Sequence, residues 1–305
     1  MNIFYHSSYN INLGIFSMLH PFDGRKFAHV YKSIKKLPGI HIQSPDGQVK
    51  KEAVRTYTGE EHFARLNNKQ FILGALEVPN IPLLPFWLID NRILRPMRWG
   101  VAGTVSALRS ALEGNHCWNM SGGYHHASAN ASEGFCIYND IGIALQTVRQ
   151  QGLVNPGDRF LIIDIDAHHG NGNALAFMNN RDMTLLDIYN HSIYPSTQYT
   201  KDRVDVNIPL RMGTAGAEYL DKLQNGLQKL QGGYRAAFIV AGTDVLESDP
   251  LGGLRLTLPD CLERDRLVLD RLTELSIPSV FLGGGGYSKQ SATAITQSLT
   301  AFYQR

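Results

Sequence analysis

Acidic residues and histidines follow an apolar run in residues 159–172 of the sequence. Residues 160–163 are apolar and β-branched, which predicts a buried strand that ends at Asp164. In an extended chain alternate side chains share a face, so Asp166 and His168 are expected to point the same way. A buried carboxylate without a partner costs several kcal/mol, and carboxylates and imidazoles are common metal ligands. The segment therefore predicts a cation site where the strand ends.

Three further predicted strands also lead into side chains that can do chemistry: His125 and His126, Asp244, and Tyr287. These strands are predicted at residues 117–120, 236–241 and 278–282. In open α/β sheets, sites form at the carboxyl ends of strands, so these groups are expected to meet those of residues 164–168. Asp166, His168 and Asp244 then offer three ligands and leave one position open, as in catalytic metal sites.

The chemistry of such a site is metal-assisted amide hydrolysis. A divalent metal polarises a carbonyl and lowers the pKa of bound water to about 7. A histidine can take the proton of that water and later protonate a leaving amine, and His126 is the candidate. His125 is expected to be held by a carboxylate, with Asp164 as the nearest acid. The phenol of Tyr287 can donate to the developing oxyanion.

Predicted strands and helices alternate along the chain, which indicates an α/β fold with a mainly parallel central sheet and helices on both faces. We expect a single domain over residues 1–305, with the site at the carboxyl ends of the strands. Besides the strands above, residues 3–5 and 182–188 are predicted strands. Helices are predicted at 20–36, 59–66, 101–113, 139–150, 218–230, 259–275 and 292–303. The proline-rich run 79–85 is expected to be irregular, as a surface loop or as an apolar rim near a substrate entrance.

Composition limits the function classes. The 305 residues are 43% hydrophobic and carry a net charge of +2, too little to indicate nucleic-acid contact. The three cysteines show no C-x-x-C spacing, which favours a reducing compartment and offers no cysteine zinc site. We expect no signal peptide and no membrane span. An intracellular location, most simply cytoplasmic, follows as an expectation, and the oligomeric state is left open.

Four blocks of the sequence resemble the signatures of the zinc-dependent histone deacetylases, also called lysine deacylases. The blocks are SGGYHHASANASEGFCIYND, DIDAHHGNG, AGTDVLESDPLGGL and GGGGY. The segments HPFDGRKF, ILRPMRWG and LDIYNHSIYP are most similar to the class IV branch of that family. The resemblance runs from about Tyr5 to the C-terminus, and it implies an arginase/deacetylase-like fold.

The resemblance also implies a role for each matching position. One Zn²⁺ per chain would be held by Asp166, His168 and Asp244. The other catalytic positions would be His126 as general base and acid, His125 beside the metal-bound water, Tyr287 as oxyanion donor, and Asp164 and Asn171 as partners of the two histidines. The backbone of Asp164 helps to hold a structural K⁺ in many relatives. The acyl-lysine tunnel would be lined by Gly134, Phe135, Tyr194, Gly285 and Gly286, with Leu251 at its rim.

The sequence departs from the family pattern at a few positions. Most members have an acid where this chain has Asn171, whereas Asn is the class IV pattern. Because an amide stabilises an imidazolium less than a carboxylate does, we expect a less basic His126. The extra carboxylates of two-manganese, arginase-like relatives would fall at Gly170 and Leu246, which cannot ligate, so one metal is favoured. The acid that binds the substrate backbone in other branches has no secure counterpart here.

Three functions are compatible with these residues. The first is a hydrolase that removes acyl groups from lysine Nε of proteins or peptides, with long fatty acyl chains as the preferred substrates. The second uses the same chemistry on small amides such as acetylpolyamines. The third is a non-catalytic acyl-lysine reader, which the presence of all the predicted ligands and of His126 and Tyr287 disfavours.

Overall fold

One parallel β-sheet organises the chain. The computed structural model describes residues 1–11 and 22–304. Over these residues the sheet has eight strands in the order β2-β1-β3-β8-β7-β4-β5-β6, and every neighbouring pair is parallel. The strands are β1 Asn2–Phe4, β2 Ile42–Gln43, β3 His116–Asn119, β4 Phe160–Asp164, β5 Met183–Asn190, β6 Val206–Leu210, β7 Ala236–Val240 and β8 Ser279–Leu282. The predicted α/β class and parallel sheet are confirmed.

Helices connect the strands. They are α1 Lys26–Ile34, α2 Lys51–Arg65, α3 Lys69–Ala75, α4 Phe86–Ile89, α5 Arg95–Leu112, α6 Asp140–Gln150, α7 Asn171–Ala176, α8 Gln198–Lys201, α9 Gly216–Leu227, α10 Leu258–Glu274 and α11 Ser291–Tyr303. A 3₁₀ turn spans Ser7–Tyr9, and a π turn over Asp90–Leu94 joins α4 to α5. None of the helices within the described residues is long and apolar enough to cross a membrane.

Both faces of the sheet are covered, as the strand composition requires. In β4, Leu161 and Ile163 pack against α1, α9, α10 and α11 on one face. Phe160 and Ile162 pack against α5 and α6 on the other face. Alternate residues of an extended chain point to opposite faces, so a strand that is apolar at every position must be buried on both. A third apolar cluster joins α2, α3 and the π turn to the first half of α5.

The strand order explains how the site is assembled. The four strands that lead into the predicted site residues are β3, β8, β7 and β4, and they are consecutive in the sheet. Because all four are parallel, their carboxyl ends lie along one edge. Residues that are more than 160 positions apart in the chain are therefore brought to neighbouring loops.

Several elements differ from the sequence-based expectation. The helix expected at 20–36 is α1, and His20 and Pro21 lie outside the described residues. The helix expected at 59–66 begins at Lys51, and Gly59 interrupts it with φ of +72°. Residues 79–85 form neither helix nor strand. The short edge strand β6 was missed because Pro209 argues against a strand, although proline is tolerated at a sheet edge. The short elements β2, α3, α4, α7 and α8 were also missed.

Candidate active site

Three metal-ligand side chains converge just beyond β4 and β7. Ligand atoms of Asp166, His168 and Asp244 all lie within 4.8 Å of one another. His168 Nδ1 is 2.9 Å from Asp244 Oδ2 and 3.2 Å from Asp166 Oδ1. Both carboxyl groups are fully buried, and the histidine is nearly so. A mixed Asp/His set of this size suits a divalent transition metal such as Zn²⁺.

Backbone groups fix the two carboxylates of this cluster. Gly285 N–H donates to Asp166 Oδ2 at 2.8 Å, and Ala167 N–H donates to Asp244 Oδ1 at 3.0 Å. Residue 285 has to be glycine, because a Cβ there would lie 2.5 Å from Asp244 Oδ2 and 2.7 Å from Asp166 Oδ2. The loop after β8 therefore forms a wall of the cluster.

The electrostatics of the cluster also favour a cation. Burial and the charge of Asp166 raise the pKa of Asp244 to about 6. Burial lowers the pKa of His168, but its hydrogen bonds to Asp166 and Asp244 outweigh burial and raise the pKa to about 10. Two carboxylates this close and this buried need positive charge between them. The three side chains thus fit a bound divalent metal by donor type, spacing and charge.

His125 lies beside this cluster and is held by a carboxylate. Its Nδ1 donates to Asp164 Oδ2 at 2.8 Å, and its Nε2 lies 3.8 Å from Asp166 Oδ1. Burial lowers the pKa of His125, but the charges of Asp164 and Asp166 outweigh burial and raise the pKa to about 9. The carboxylate partner of His125 thus favours its protonated form.

His126 has a neutral partner. Its Nδ1 lies 2.6 Å from Asn171 Oδ1, and Asn171 Nδ2 donates to Glu133 Oε1. Because the Glu133 carboxylate only accepts, it fixes the amide orientation, so Nδ1 of His126 must carry the proton. Burial and the charges of His125 and His168 hold the pKa of His126 well below its usual value. His126 is thus neutral, with Nε2 free to accept a proton.

Tyr287 follows the glycine loop after β8 and is half-buried. Its backbone N–H donates to Asp249 Oδ2 at 2.7 Å, and its ring lies edge-on to Phe135 with centroids 5.9 Å apart. Burial and the charges of Asp244 and Asp166 raise the pKa of the phenol well above its usual value, so the hydroxyl stays protonated. A protonated phenol can donate a hydrogen bond to an oxyanion.

A lysine that the sequence interpretation missed supports this loop. The side chain of Lys26, in α1, is 1% exposed, and its Nζ lies 3.1 Å from Gly285 O. It is also 3.4 Å from Gly284 O and 3.5 Å from Gly286 O. Burial lowers the pKa of Lys26 to about 8, although nearby carboxylates oppose the shift. A lysine in an amphipathic helix is normally exposed, so no sequence signal distinguishes this one.

An apolar cavity reaches the two histidines and the tyrosine described above. His125, His126 and Tyr287 line it, and so do three of the predicted tunnel residues, Gly134, Phe135 and Gly285. The remaining walls are mostly apolar and include Ile11, Phe22, Leu76, Val78, Ile93 and Met97. At Gly134 a Cβ would lie 2.5 Å from the His126 ring, which explains why glycine is needed there.

The other predicted tunnel residues, Tyr194, Gly286 and Leu251, are not among the described residues that line the cavity. Tyr194 is 43% exposed, and its ring packs edge-on to His126 with centroids 5.1 Å apart; its role at the entrance stays a prediction. Gly286 follows Gly285 in the loop that Lys26 holds. Leu251 is half-buried, and its N–H donates to Asp249, as does that of Tyr287. Leu251 is not among the described residues that line the cavity, and its role at a rim stays a prediction.

Comparisons with known proteins identify the family of this chain. A family model described as the histone deacetylase domain matches residues 20–303. Histone deacetylase 2 of Arabidopsis thaliana is 32% identical over 304 residues, which cover 98% of this chain and 78% of the relative. The acetoin utilization protein AcuC of Staphylococcus xylosus is 29% identical over 203 residues, which cover 62% of this chain and 51% of the relative.

Two solved structures share the fold at low identity. An acetylpolyamine aminohydrolase from Burkholderia pseudomallei superposes with a TM-score of 0.73 at 19% identity, covering 99% of this chain and 98% of that one. A histone deacetylase homologue complexed with SAHA superposes with a TM-score of 0.74 at 21% identity, covering 100% of this chain and 84% of that one. With a family model that spans nearly all of it, this chain belongs to the histone deacetylase family.

Proposed function

We propose that this protein is a one-metal lysine deacylase that hydrolyses the Nε-acyl amide of lysine. The observation that carries the proposal is the convergence of Asp166, His168 and Asp244 beside two histidines and a protonated tyrosine that line one apolar cavity. Asp166, His168 and Asp244 would hold Zn²⁺. When bound, the metal supplies Lewis acidity to the amide carbonyl and to the attacking water.

The residues of the chain supply the proton transfers. His126 is neutral with Nε2 free, so it removes the proton of the attacking water and returns it to the leaving lysine amine. His125 Nε2 lies 3.8 Å from Asp166 Oδ1, beside the ligand cluster, so it would donate to the water or to the developing oxyanion. Tyr287 keeps its proton and stabilises the same oxyanion. Pairs of groups whose pKa values are pushed apart commonly divide acid and base work in this way.

The walls of the cavity support long acyl chains as substrates. Beyond His126 and Tyr287 the lining is dominated by aliphatic and aromatic side chains. Each additional buried CH₂ contributes roughly 0.8 kcal/mol to transfer from water. A fatty acyl group would thus gain much more from this cavity than an acetyl group. This supports the fatty-deacylase assignment.

A panel of acyl-lysine peptides tests the proposal. The metal-reconstituted protein is assayed with acetyl-, octanoyl- and myristoyl-lysine peptides of one sequence, with Zn²⁺ and Fe²⁺ compared. We expect kcat/KM to rise with chain length. Equal kcat/KM for acetyl and myristoyl substrates would exclude the long-chain assignment, and hydrolysis of none of them would exclude the lysine deacylase.

Acetylpolyamines are a second candidate, favoured by negative charge near the entrance. The carboxylates of Glu133 and Glu77 lie close enough to Tyr194 that, after burial, their charges add to the rise of its pKa. A cationic polyamine chain would be attracted to such an entrance. Acetylspermidine is therefore assayed in the same panel, and a higher kcat/KM for it than for any acyl-lysine peptide would reverse the order of the two candidates.

A structural K⁺ near Asp164 stays a prediction of the resemblance. One observation supports a cation there: Asp187 Oδ1 is buried and has no hydrogen-bond partner among the described residues. Asp187 is paired with Asp164 across β4 and β5. Its other oxygen accepts hydrogen bonds from His169 and from Gly170 N–H. A buried carboxylate with one unpaired oxygen fits a cation ligand.

A further inference from the structure

We propose that Arg264, in α10, is a positioning residue for the metal ligands. It would set the spacing between the loop that carries Asp166 and the loop that carries Asp244. The inference rests on the proposed metal site. The side chain of Arg264 is 1% exposed, and it lies beneath the site, on the sheet face covered by α9, α10 and α11. It therefore contacts no substrate and acts only through the backbone.

A single nitrogen of Arg264 binds both loops. Its Nη1 donates to Ile165 O at 3.0 Å and to Gly242 O at 2.6 Å. Ile165 directly precedes Asp166, and Gly242 lies two residues before Asp244. Among the described residues, no other side chain donates to carbonyls of both loops.

The contact lies where the β-ladder between the two strands stops. Ile165 N–H donates to Val240 O at 3.1 Å, and this is the last backbone hydrogen bond between the β4 and β7 segments. Past that point the buried carbonyls of Ile165 and Gly242 need another donor. Arg264 supplies it, so the guanidinium continues the connection between the strands at the level of the ligands.

Each of the two peptide groups is held from both sides. Asp166 N–H, of the Ile165–Asp166 peptide, donates to Asp164 Oδ1 at 3.3 Å. Thr243 N–H, of the peptide after Gly242, donates to Gly285 O at 3.1 Å. With Arg264 on the carbonyls, neither peptide plane can rotate without breaking a buried hydrogen bond. The directions in which Asp166 and Asp244 leave the backbone are set accordingly.

The orientation of the guanidinium is itself fixed. Arg264 Nε and Nη2 donate to Asp265 Oδ1 at 2.9 Å and 2.7 Å. Ser298 Oγ, from α11, donates to the other oxygen of Asp265 at 2.6 Å. A planar guanidinium can bind a carboxylate with one side and two carbonyls with the other, whereas a lysine ammonium cannot reproduce both arrangements. Arg264→Lys should therefore keep the charge and lose the geometry.

Two further residues make the test selective. Tyr219 OH, from α9, is a second donor to Ile165 O at 3.2 Å, so Tyr219→Phe weakens the same contact mildly. Arg203 is the control, because its guanidinium also donates hydrogen bonds to three backbone carbonyls. These are the carbonyls of Phe177, Asn180 and Met183, at 2.9, 3.1 and 2.7 Å. These carbonyls lie at the amino-terminal edge of β5, opposite the edge that carries the site.

The experiment measures Co²⁺ binding to the metal-free protein, residues 1–305, from the visible absorption of the bound ion, and it measures thermal unfolding of the same samples. We expect Arg264→Lys to weaken Co²⁺ binding by about tenfold or more, in the range found for residues that orient metal ligands. Tyr219→Phe should weaken it less, and both should lower kcat more than they change KM. Arg203→Lys should lower the Tm and leave Co²⁺ affinity within about twofold of the wild type.

The outcomes separate this inference from the proposed function. Wild-type Co²⁺ affinity in Arg264→Lys and Tyr219→Phe, with only a lower Tm, would overturn the positioning role. If Arg264→Lys does not fold, Tyr219→Phe decides alone. A wild-type protein that binds Co²⁺ but hydrolyses no acyl-lysine peptide contradicts the proposed function, while the affinities still test Arg264. A wild-type protein that binds no Co²⁺ overturns both.

Discussion

His125 and His126 are neighbours in the chain, and both donate through Nδ1, yet their surroundings differ. The partner of His125 is the buried carboxylate of Asp164, whereas the partner of His126 is the amide of Asn171. The pKa of His125 is raised to about 9, while that of His126 is held well below its usual value. The adjacent imidazoles thus differ in pKa, because a carboxylate faces His125, whereas burial and the charges of two neighbouring histidines lower the pKa of His126, which has only an amide partner.

The comparison indicates that an amide partner leaves His126 in its neutral form, which can accept a proton. A carboxylate partner would stabilise the protonated ring and raise its pKa, as Asp164 does for His125. Asn171 also donates to the Glu133 carboxylate, so a negative charge lies near His126 but does not contact it. Four changes test this contrast. Two remove the proposed catalytic groups His126 and Tyr287, and two change the partners Asp164 and Asn171.

The largest effect is expected from His126→Ala. Loss of the general base should lower kcat by roughly 10²–10⁴, the range for general acid–base groups. Metal content should stay at the wild-type level, because the ligand cluster is formed by Asp166, His168 and Asp244. Metal analysis and single-turnover kinetics on the same sample measure both. A variant that loses its metal together with its activity would contradict the assignment of His126 as a base.

The next effect is expected from Tyr287→Phe, which serves as a control outside the histidine pair. Loss of one oxyanion donor should lower kcat by roughly 10²–10³. Because the phenol does not titrate near neutral pH, neither limb of the pH–rate profile should move. Displacement of a limb in Tyr287→Phe would mean that the phenol is coupled to one of the histidines, and the two-histidine account would then be incomplete.

A smaller change in rate, with a diagnostic pH shift, is expected from Asp164→Asn. It gives His125 the kind of partner that His126 has. The pKa of His125 should fall from about 9, because the charge that raises it is removed. If the cationic form of His125 is active, activity is lost as pH rises through this pKa. The basic limb of the kcat profile should therefore move to lower pH, with the acidic limb unchanged.

The fold and the convergence of the site residues could be predicted because they follow from local patterns. Each polar group comes directly after an apolar run, and in a parallel sheet the carboxyl ends of strands share one edge. The structure confirms the parallel sheet and puts Asp166, His168 and Asp244 within reach of one ion. The assigned chemical roles stay predictions that the mutants test.

The supporting residues could not be predicted, because their roles depend on tertiary packing. Lys26 and Arg264 lie in helices where a charged residue is ordinarily exposed, and only the packing of α1 and α10 against the sheet brings them under the site. Glu133 reaches Asn171 from a loop 38 positions earlier in the chain. Sequence periodicity reports the face of a helix, but it does not report which carbonyl that face will meet.

The smallest and most specific effect is expected from exchanging the partner of His126. Asn171→Asp alone would place two carboxylates together, because Glu133 already contacts Asn171. In the double variant Asn171→Asp with Glu133→Gln, a carboxylate at position 171 contacts His126, and the amide at position 133 can donate to that carboxylate. The pKa of His126 should rise by roughly one to three units, as for a close opposite charge. Since the neutral form is the base, activity is lost as pH falls through this pKa, so the acidic limb should move to higher pH.

Glu133→Gln alone is the matched control for that exchange, because it removes the distant carboxylate and leaves the amide in place. It should leave the acidic limb within a few tenths of a unit of the wild type, or move it slightly to lower pH. An acidic limb that does not move in the double variant, in an enzyme with normal metal content, would show that the partner of His126 does not set its basicity. The contrast between the neighbouring histidines would then arise from burial and from the nearby positive charges alone.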